Sequence, residues 1–322
     1  MTQSTLIEVK GLTKKFPLGK KWFKPNGYVR AVDGLDFTIK KGETFGLVGE
    51  SGCGKSTTGR LINGLIEANE GEILFDGQNL VGLPDSQWNS YRKRMQMIFQ
   101  DPFASLSPRM KIKDIVIEPL DVHYPKMPKS EKLEKAEKLL EICGISKFHW
   151  NKYPHEFSGG QRQRISIARS LILNPELIIA DEAVSALDVS IQSQVLNLLV
   201  DLQVEFDLTY LFISHDLSVV EHISNRIGVM YLGDLVEVAS KEQLFKNPKH
   251  PYTQSLLSSI PQPGKQDREK IILKGEIPSA SNPPKGCKFH TRCPFAMDIC
   301  RKEIPENIHV DDDHVVACHL YS

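Results

Sequence analysis

GESGCGKST, running from Gly49 to Thr57, is the stretch on which the reading of this chain turns. Gly49, Gly54, Lys55 and Ser56 stand at phosphate-loop spacing: backbone amides wrap phosphates, the lysine reaches the β- and γ-phosphates, and the hydroxyl ligates magnesium. Glycines let the main chain approach an anion in conformations a Cβ would forbid, and a helix opening near Lys55 turns its positive end to the phosphates. Glu50, Ser51, Gly52 and Cys53 complete the cradle, and Thr57 follows the magnesium hydroxyl. Taken alone, the motif could be a glycine-rich strand-to-helix turn. The flanks argue otherwise, since Thr44 to Val48 reads as a buried strand entering the loop and Thr57 to Ile66 as a helix leaving it.

Further along, Leu177 to Ala180 is a second short apolar run, closing on Asp181 and Glu182. Two carboxylates at the C-terminal edge of a parallel sheet lie where such sheets bind ligands. Asp181 is expected on the magnesium side, acting through a coordinated water, and Glu182 one step further out, toward an attacking water. Acidic residues that end strands are often only solvated, but a phosphate loop in the same chain weakens that reading. Phe157 to Arg164 reads FSGGQRQR, followed by Ile165, Ala168, Leu171 and Ile172 at helical spacing. Ser158 and Gly159 would then open a helix, where free amides and the helix dipole favour anions. A Ser-Gly-Gly cap is an ordinary feature by itself. Its place shortly before the carboxylate strand makes it specific.

Taken together, the phosphate loop, SGGQ from Ser158 to Gln161, the carboxylate strand, Gln100 in MIFQDP, SALD from Ser185 to Asp188 and His215 in ISHD make the chain resemble the ATPase subunit of an ATP-binding-cassette (ABC) transporter over nearly its whole length. The resemblance implies an α/β fold: an ABC-type phosphate-loop ATPase core with an antiparallel β flank and a helical subdomain. It implies that Gln100 contacts magnesium and senses the membrane subunits, that Asp188 lies at a dimer seam, and that His215 holds the γ-phosphate. Gly160 and Gln161 belong to the signature segment. VSALDVSIQ from Val184, HPYTQSLL from His250 and a cysteine-bearing tail resemble oligopeptide and dipeptide importer ATPases, the F-type subunit above all. Ala183 stands where the family commonly has proline, and Phe157 where it has leucine. Neither change removes a catalytic group.

Composition agrees. A chain of 322 residues exceeds one mode-sized domain, so a catalytic core plus an appendage is expected. Lysine plus arginine and aspartate plus glutamate each number 40, so the net charge is zero, which argues against a dedicated nucleic-acid binder that neutralises phosphates. MTQSTLIEVK lacks an apolar signal core, and no uninterrupted apolar run approaches the roughly 20 residues of a membrane span. The chain is therefore expected to sit peripherally on the cytoplasmic side of a cell membrane, held by spanning partners.

Leu6 to Val9 and Ala31 to Ile39 read as strands of the antiparallel flank, separated by a polar, basic insertion from Gly19 to Gly27. The family places an aromatic ring under adenine here; Phe16 is the first choice and Tyr28 its competitor, and both rings simply packing is an alternative of comparable weight. Between about residues 110 and 175 the pattern turns helical, with Leu133, Ala136, Leu139, Leu140 and Cys143 at helical spacing and a charged, solvated opposite face. By resemblance this is the helical subdomain that receives the membrane subunits. Ile191 to Phe206 and Leu217 to Ile223 read as core helices and Tyr210 to Ser214 as a strand.

The ATPase domain is expected over residues 1–260 and a C-terminal extension over 261–322, where PQPGKQDREK and PSASNPPKG mark loop-rich sequence. Cys287, Cys293, Cys300 and Cys318 all fall in that extension. Disulfides are disfavoured without a signal peptide. Zinc suits thiolates and has His290, His309, His314 and His319 nearby, although paired CxxC knuckles are missing. Spacing leaves the metal undecided. GCKFHTRCPFAMDIC followed by VACH resembles the peptide-importer tail, which implies that the four cysteines hold a 4Fe-4S cluster, with zinc the alternative and four unliganded thiols the remaining one. A tail this small needs staples.

The resemblance implies a composite mechanism. Lys55, Ser56, magnesium, Gln100, Asp181, Glu182 and His215 gather around one γ-phosphate of ATP, and Ser158, Gly159 and Gly160 complete the site of a second ATPase subunit. That subunit is expected to be a distinct D-type partner in a heterodimer. Positioning and charge stabilisation carry phosphoryl transfer. Two transmembrane permease subunits and an extracytoplasmic solute-binding protein complete the expected assembly. It imports dipeptides or oligopeptides, with nickel or another small solute as an alternative cargo. Soluble cassettes of DNA repair or translation form a different class; the long coiled-coil insertion of the first and the paired nucleotide modules of the second are both missing here.

Overall fold

The computed structural model describes residues 4–21, 24–25, 27–260, 271–273, 275–311 and 313–322. The linker stretch 261–270, PQPGKQDREK, lies outside them. The chain forms two compact units, Met1–Gly82 with Ser214–Ser322, and Leu83–Ile213.

In the first unit the antiparallel flank pairs Thr5–Pro17 with Tyr28–Lys40 on one side and with Glu70–Phe75 on the other, and Gln78–Asn79 forms the outer edge. Ile7 faces Ile39 and Val9 faces Phe37 across the ladder, so apolar side chains share the buried face. The flank strands run further than expected, to Pro17 and from Tyr28, because pairing continues through Lys15–Arg30, Phe16–Val29 and Pro17–Tyr28. The insertion closes at its base by a Leu18 N–H donating to the Gly27 carbonyl, 2.8 Å. Its backbone pairs Lys20–Lys21 with Lys24–Pro25.

A second run of strands in this unit lies in the order Asn307–Asp311, His314–Ala317, Asp234–Ser240, Arg226–Tyr231, Thr44–Val48. Thr44–Val48 is parallel to Arg226–Tyr231 and buried at every position, as a near-continuous apolar segment requires. The cysteine-bearing tail thus adds two strands to the sheet that feeds the phosphate loop. Helix Lys55–Ile62 leaves that loop. It stops short of the expected Ile66 because Gly64, with φ 65°, turns the chain left-handed just beyond Asn63.

In the second unit Leu177–Asp181 lies between Met95–Ile98 and Thr209–Ser214, all parallel. The helical region expected over 110–175 contains Ile112–His123, Lys129–Ile142 and Gly159–Leu171. Ala136, Leu139, Leu140 and Cys143 are buried and Leu133 is half-buried, as their spacing predicts. One member of the charge run departs from the solvated-face reading: Lys132 is buried, its Nζ 2.8 Å from Asp121. Its long stem packs while its head meets a carboxylate. Helix Val189–Phe206 starts two residues before the expected Ile191, and Leu217–Ile223 in the first unit is as expected.

Candidate functional site

In the first unit the phosphate loop carries three left-handed glycines, with φ of 150° at Gly49, 79° at Gly52 and 110° at Gly54. Two are also needed for space. A Cβ on Gly49 would stand 2.1 Å from the Met230 carbonyl oxygen, and one on Gly54 2.0 Å from that of Ala31. No side chain fits those positions, so only glycine lets the main chain take this path. Lys55 is buried and folds back over the loop, its Nζ donating to the carbonyls of Gly49 at 2.8 Å and Glu50 at 3.0 Å. Those are neutral acceptors that an anionic phosphate can outcompete. Thr58 ties the helix start to the Gly54 carbonyl, 3.1 Å, while Ser56 and Thr57 stand half-buried on the first turn and Ser51 is exposed. Burial pushes the Cys53 thiol up, against the pull of Lys55. This donor-rich cradle fits the phosphates of ATP, and the Ser56 hydroxyl suits their magnesium.

In the second unit the strand Leu177–Asp181 ends on a buried Asp181. Glu182 has φ 48°, a left-handed conformation uncommon for a residue with a Cβ. Its N–H donates to the Ile213 carbonyl at 2.9 Å, and the Ser185 hydroxyl donates to its carbonyl at 3.0 Å, so the turn is held from both sides. Gln100, at the end of a loop after Met95–Ile98, donates from Nε2 to Glu182 Oε2 at 2.8 Å. Two residues 82 apart in sequence therefore share one hydrogen bond.

Ser158 caps helix Gly159–Leu171 through a reciprocal box: the Gln161 N–H donates to Ser158 Oγ at 3.3 Å and the Ser158 N–H to Gln161 Oε1 at 3.1 Å. Ser158 and Gly159 are exposed, while a Cβ on Gly160 would meet Ile191 Cγ2 at 2.3 Å. Phe157, where leucine is usual, is buried and does not disturb the cap. Asp188 stands exposed at the start of Val189–Phe206.

Back in the first unit, His215 is exposed just beyond Ser214 and before the Asp216 cap of Leu217–Ile223. Phe16 and Tyr28 lie on the paired flank strands, 38% and 50% exposed, so neither ring is a core side chain. Lys14 Nζ sits 5.3 Å from the Phe16 ring centroid.

The tail is built around four thiols, all free. Burial raises Cys287 to about 11; the Phe289 amide opposes the rise, and Cys300, Cys318 and Cys293 add to it. Cys293 and Cys318 are likewise raised by burial, opposed by the amides of Phe295 and Leu320, and raised further by Cys300. Cys300 Sγ accepts from the Met297 N–H at 3.4 Å. Four sulfurs, each receiving a backbone amide, therefore act electrostatically on one another. Even so, no group of three or more His, Cys, Asp or Glu side chains among the described residues is arranged to hold a metal ion. The metal-binding part of the expected extension is thus not formed among the described residues. Three of the histidines considered as ligands have other partners: His290 Nδ1 meets the Cys287 carbonyl at 2.8 Å, His314 Nε2 meets Glu237 at 2.7 Å, and His319 Nε2 meets the Glu303 carbonyl at 3.0 Å.

Local pattern gave no sign of how the tail is fastened. Phe289 is buried against Tyr231, Tyr252 and His250, with ring centroids 5.3, 5.4 and 5.5 Å away. Lys288 Nζ bridges Asp33 at 2.8 Å, Asp234 at 2.6 Å and the Leu232 carbonyl at 3.1 Å. Burial raises Asp234 to about 6 against the pull of Lys288; at Asp33 burial is outweighed by Lys288 and Arg30, and its carboxyl lies low. Basic residues in the tail were the only available signal, and they name no partner.

The ABC transporter family matches residues 32–185, and the oligopeptide/dipeptide transporter C-terminal region matches residues 236–300. The oligopeptide transport ATP-binding protein AppF of Bacillus subtilis (strain 168) is 57% identical over 325 residues, covering 99% of this chain and 98% of that protein. A probable peptide ABC transporter ATP-binding protein of Sinorhizobium fredii is 49% identical, covering 98% of this chain and 90% of its own. Among solved structures, a dimeric ATP-binding cassette in a post-hydrolysis state bound to ADP and Pi superposes with a TM-score of 0.66 at 28% identity, covering 73% of this chain and 99% of the other. The cbiO1 protein of Clostridium perfringens, part of an ABC transporter complex, gives 0.65 at 25% identity, covering 76% and 92%. With its phosphate cradle, its Gln100–Glu182 pair and relatives of this closeness along its full length, the chain belongs to the ATP-binding subunits of ABC transporters, in the group that carries the oligopeptide/dipeptide-type C-terminal region.

Proposed function

We propose that this protein hydrolyses ATP to power the import of dipeptides or oligopeptides through two transmembrane permease subunits fed by an extracytoplasmic solute-binding protein. It sits on the membrane as a peripheral subunit; no described helix is long and apolar enough to cross a bilayer. One observation carries the reading: an intact phosphate cradle and catalytic pair occur in a chain whose likeness to peptide-transport ATP-binding proteins extends through the tail. Residues 1–260 serve as the ATPase and residues 261–322 as the importer-type extension.

Lys55 and the loop amides bind the β- and γ-phosphates, with Gly49 and Gly54 keeping the cradle open. Phe16 stacks on adenine, with Tyr28 its competitor. Ser56, Gln100 and Asp181 would hold a magnesium ion, which when bound would supply positive charge against that developing on the phosphoryl oxygens. Glu182 orients and deprotonates the attacking water while Gln100 fixes its carboxylate, and His215 steadies the γ-phosphate. Ser158, Gly159, Gly160, Gln161 and Asp188 act on the nucleotide of a second ATPase subunit, read as a D-type partner. Cys287, Cys293, Cys300 and Cys318 suit a 4Fe-4S cluster: each sulfur already accepts a backbone amide, the bonding that tunes such centres, and four thiolates together need a cationic core. With three nearby histidines engaged elsewhere, an all-thiolate set suits iron–sulfur better than mixed-ligand zinc.

The test is reconstitution in proteoliposomes with its permease subunits and their binding protein. ATP-dependent accumulation of labelled peptides is expected. Vigorous ATP hydrolysis with no uptake of any di- or oligopeptide, or uptake that persists without hydrolysis, would overturn the proposal.

A further inference from the structure

An acidic side chain inside an anion-binding loop is an electrostatic contradiction. Glu50 is that side chain: it follows Gly49 in the phosphate loop, and Lys55 Nζ touches its carbonyl at 3.0 Å. A carboxylate there repels the phosphates the loop must hold, and loop amides cannot cancel a full charge. The cancelling charge comes from 242 residues away. Arg292 Nη1 donates to Glu50 Oε2 at 2.8 Å and Nη2 to Oε1 at 3.0 Å, the fork-to-fork pairing that combines charge with fixed geometry. The pair is shielded, the arginine side chain being 9% and the glutamate 25% exposed. Arg292 is itself anchored. Its N–H donates to the carbonyl of buried Phe289 at 3.0 Å, and its guanidinium lies over the Tyr231 ring at 5.9 Å. The Tyr252 hydroxyl receives the Glu50 N–H at 2.9 Å, so backbone and side chain of Glu50 are gripped together.

We infer that Arg292 is a positioning residue for nucleotide, holding and neutralising Glu50 from the C-terminal tail so that the phosphate loop accepts a polyanion. The inference rests on the ATPase reading above and deepens it: ATP affinity becomes a property of the folded tail. It also predicts a sign that a purely structural contact would not give. Losing Arg292 leaves an unneutralised carboxylate beside the phosphates, and removing that carboxylate as well should restore binding.

The experiment measures MgATP dissociation constants of the full chain by titration calorimetry for wild type, Arg292→Gln, Arg292→Lys, Glu50→Gln and the Arg292→Gln/Glu50→Gln double variant, with melting temperatures alongside. Arg292→Gln is expected to weaken MgATP about tenfold, and the double variant to return to within about threefold of wild type. Arg292→Lys, which keeps the charge and loses the fork, should fall between. Raising salt should shrink the deficit of Arg292→Gln. Affinity of Arg292→Gln within about twofold of wild type, or a double variant as weak as the single, overturns the inference. If Arg292→Gln does not fold, Arg292→Lys decides in its place, and parity with wild type overturns the inference. Wild-type protein that binds no MgATP would defeat the ATPase reading instead.

Discussion

Replacing Glu182 by Gln isolates the chemistry of the proposed catalytic base from its architecture. Gln100 Nε2 donates to Glu182 Oε2 at 2.8 Å, and a glutamine amide oxygen can accept the same bond. The left-handed backbone at φ 48° and the bonds that brace it, Glu182 N–H to Ile213 at 2.9 Å and Ser185 Oγ to the Glu182 carbonyl at 3.0 Å, involve no carboxylate. Folding stability should therefore change by less than about 0.5 kcal/mol, as for substitutions that leave packing intact. What disappears is a proton acceptor. General-base catalysis contributes about 10² to 10⁴ in rate, equivalent to about 2.7–5.5 kcal/mol in the barrier. The assay is phosphate release in the assembled membrane complex, with MgATP binding measured in parallel. The expected result is turnover reduced at least about a hundredfold with binding retained. ATPase rates within about tenfold of wild type would refute the assignment of Glu182 as base, and lost binding together with lost stability would refute the claim that the carboxylate is dispensable to the fold.

Three further outcomes follow from the geometry. Gly54→Ala places a Cβ about 2.0 Å from the Ala31 carbonyl at φ 110°, so MgATP binding should be lost and stability should fall by about 2 kcal/mol or more; calorimetry and thermal melting check both. Phe289→Ala empties the aromatic cluster with Tyr231, Tyr252 and His250 and should cost about 3–5 kcal/mol in urea denaturation. Burial lowers His250 to about 4 from 6.5, so the unfolded chain takes up its proton first as pH falls; stability present above 6.5 is lost between 6.5 and 4, by up to about 3 kcal/mol. Denaturation midpoints measured across that window should flatten in His250→Asn, which keeps a capping side chain at that position.

Motifs made of neighbours were readable in the sequence because their physics is local. The glycines of the phosphate loop, the Ser158 cap three residues before Gln161, and the mostly apolar Thr44–Val48 strand each announce themselves within a few positions. The helical spacing of Ala136, Leu139, Leu140 and Cys143 is readable for the same reason, whereas the burial of Lys132 is not, because its partner Asp121 is on another helix. The tail marks the limit. Val315 and Val316 in HVVACH suggest a strand, but their pairing with Val238 and Glu237 has no local signature. Nor does anything near Arg292 point to Glu50. Composition divided the chain near 260, where proline and charge replace apolar periodicity, whereas strand pairing and buried charge carry the fold across that division.

Cutting the chain after residue 260 tests how deep that continuity goes. The Asp234–Ser240 strand would lose its His314–Ala317 neighbour and become an open edge. Glu237, buried and accepting from Lys249 N–H at 2.7 Å, His250 N–H at 2.9 Å and His314 Nε2 at 2.7 Å, would lose its side-chain partner. Asp33 and Asp234 would lose Lys288, and Tyr231 and Tyr252 would lose the cover of Phe289. Cutting the tail returns these charges to water, so the loss comes mainly from the uncovered aromatic side chains and the opened strand edge; it amounts to several kcal/mol, comparable with the lower end of the about 5–15 kcal/mol that holds an ordinary domain. Residues 1–260 expressed alone should therefore lack a cooperative melt and expose apolar surface to a hydrophobic dye. A sharp transition within a few degrees of the full chain would mean that the tail is an ornament on the ATPase and not part of its core.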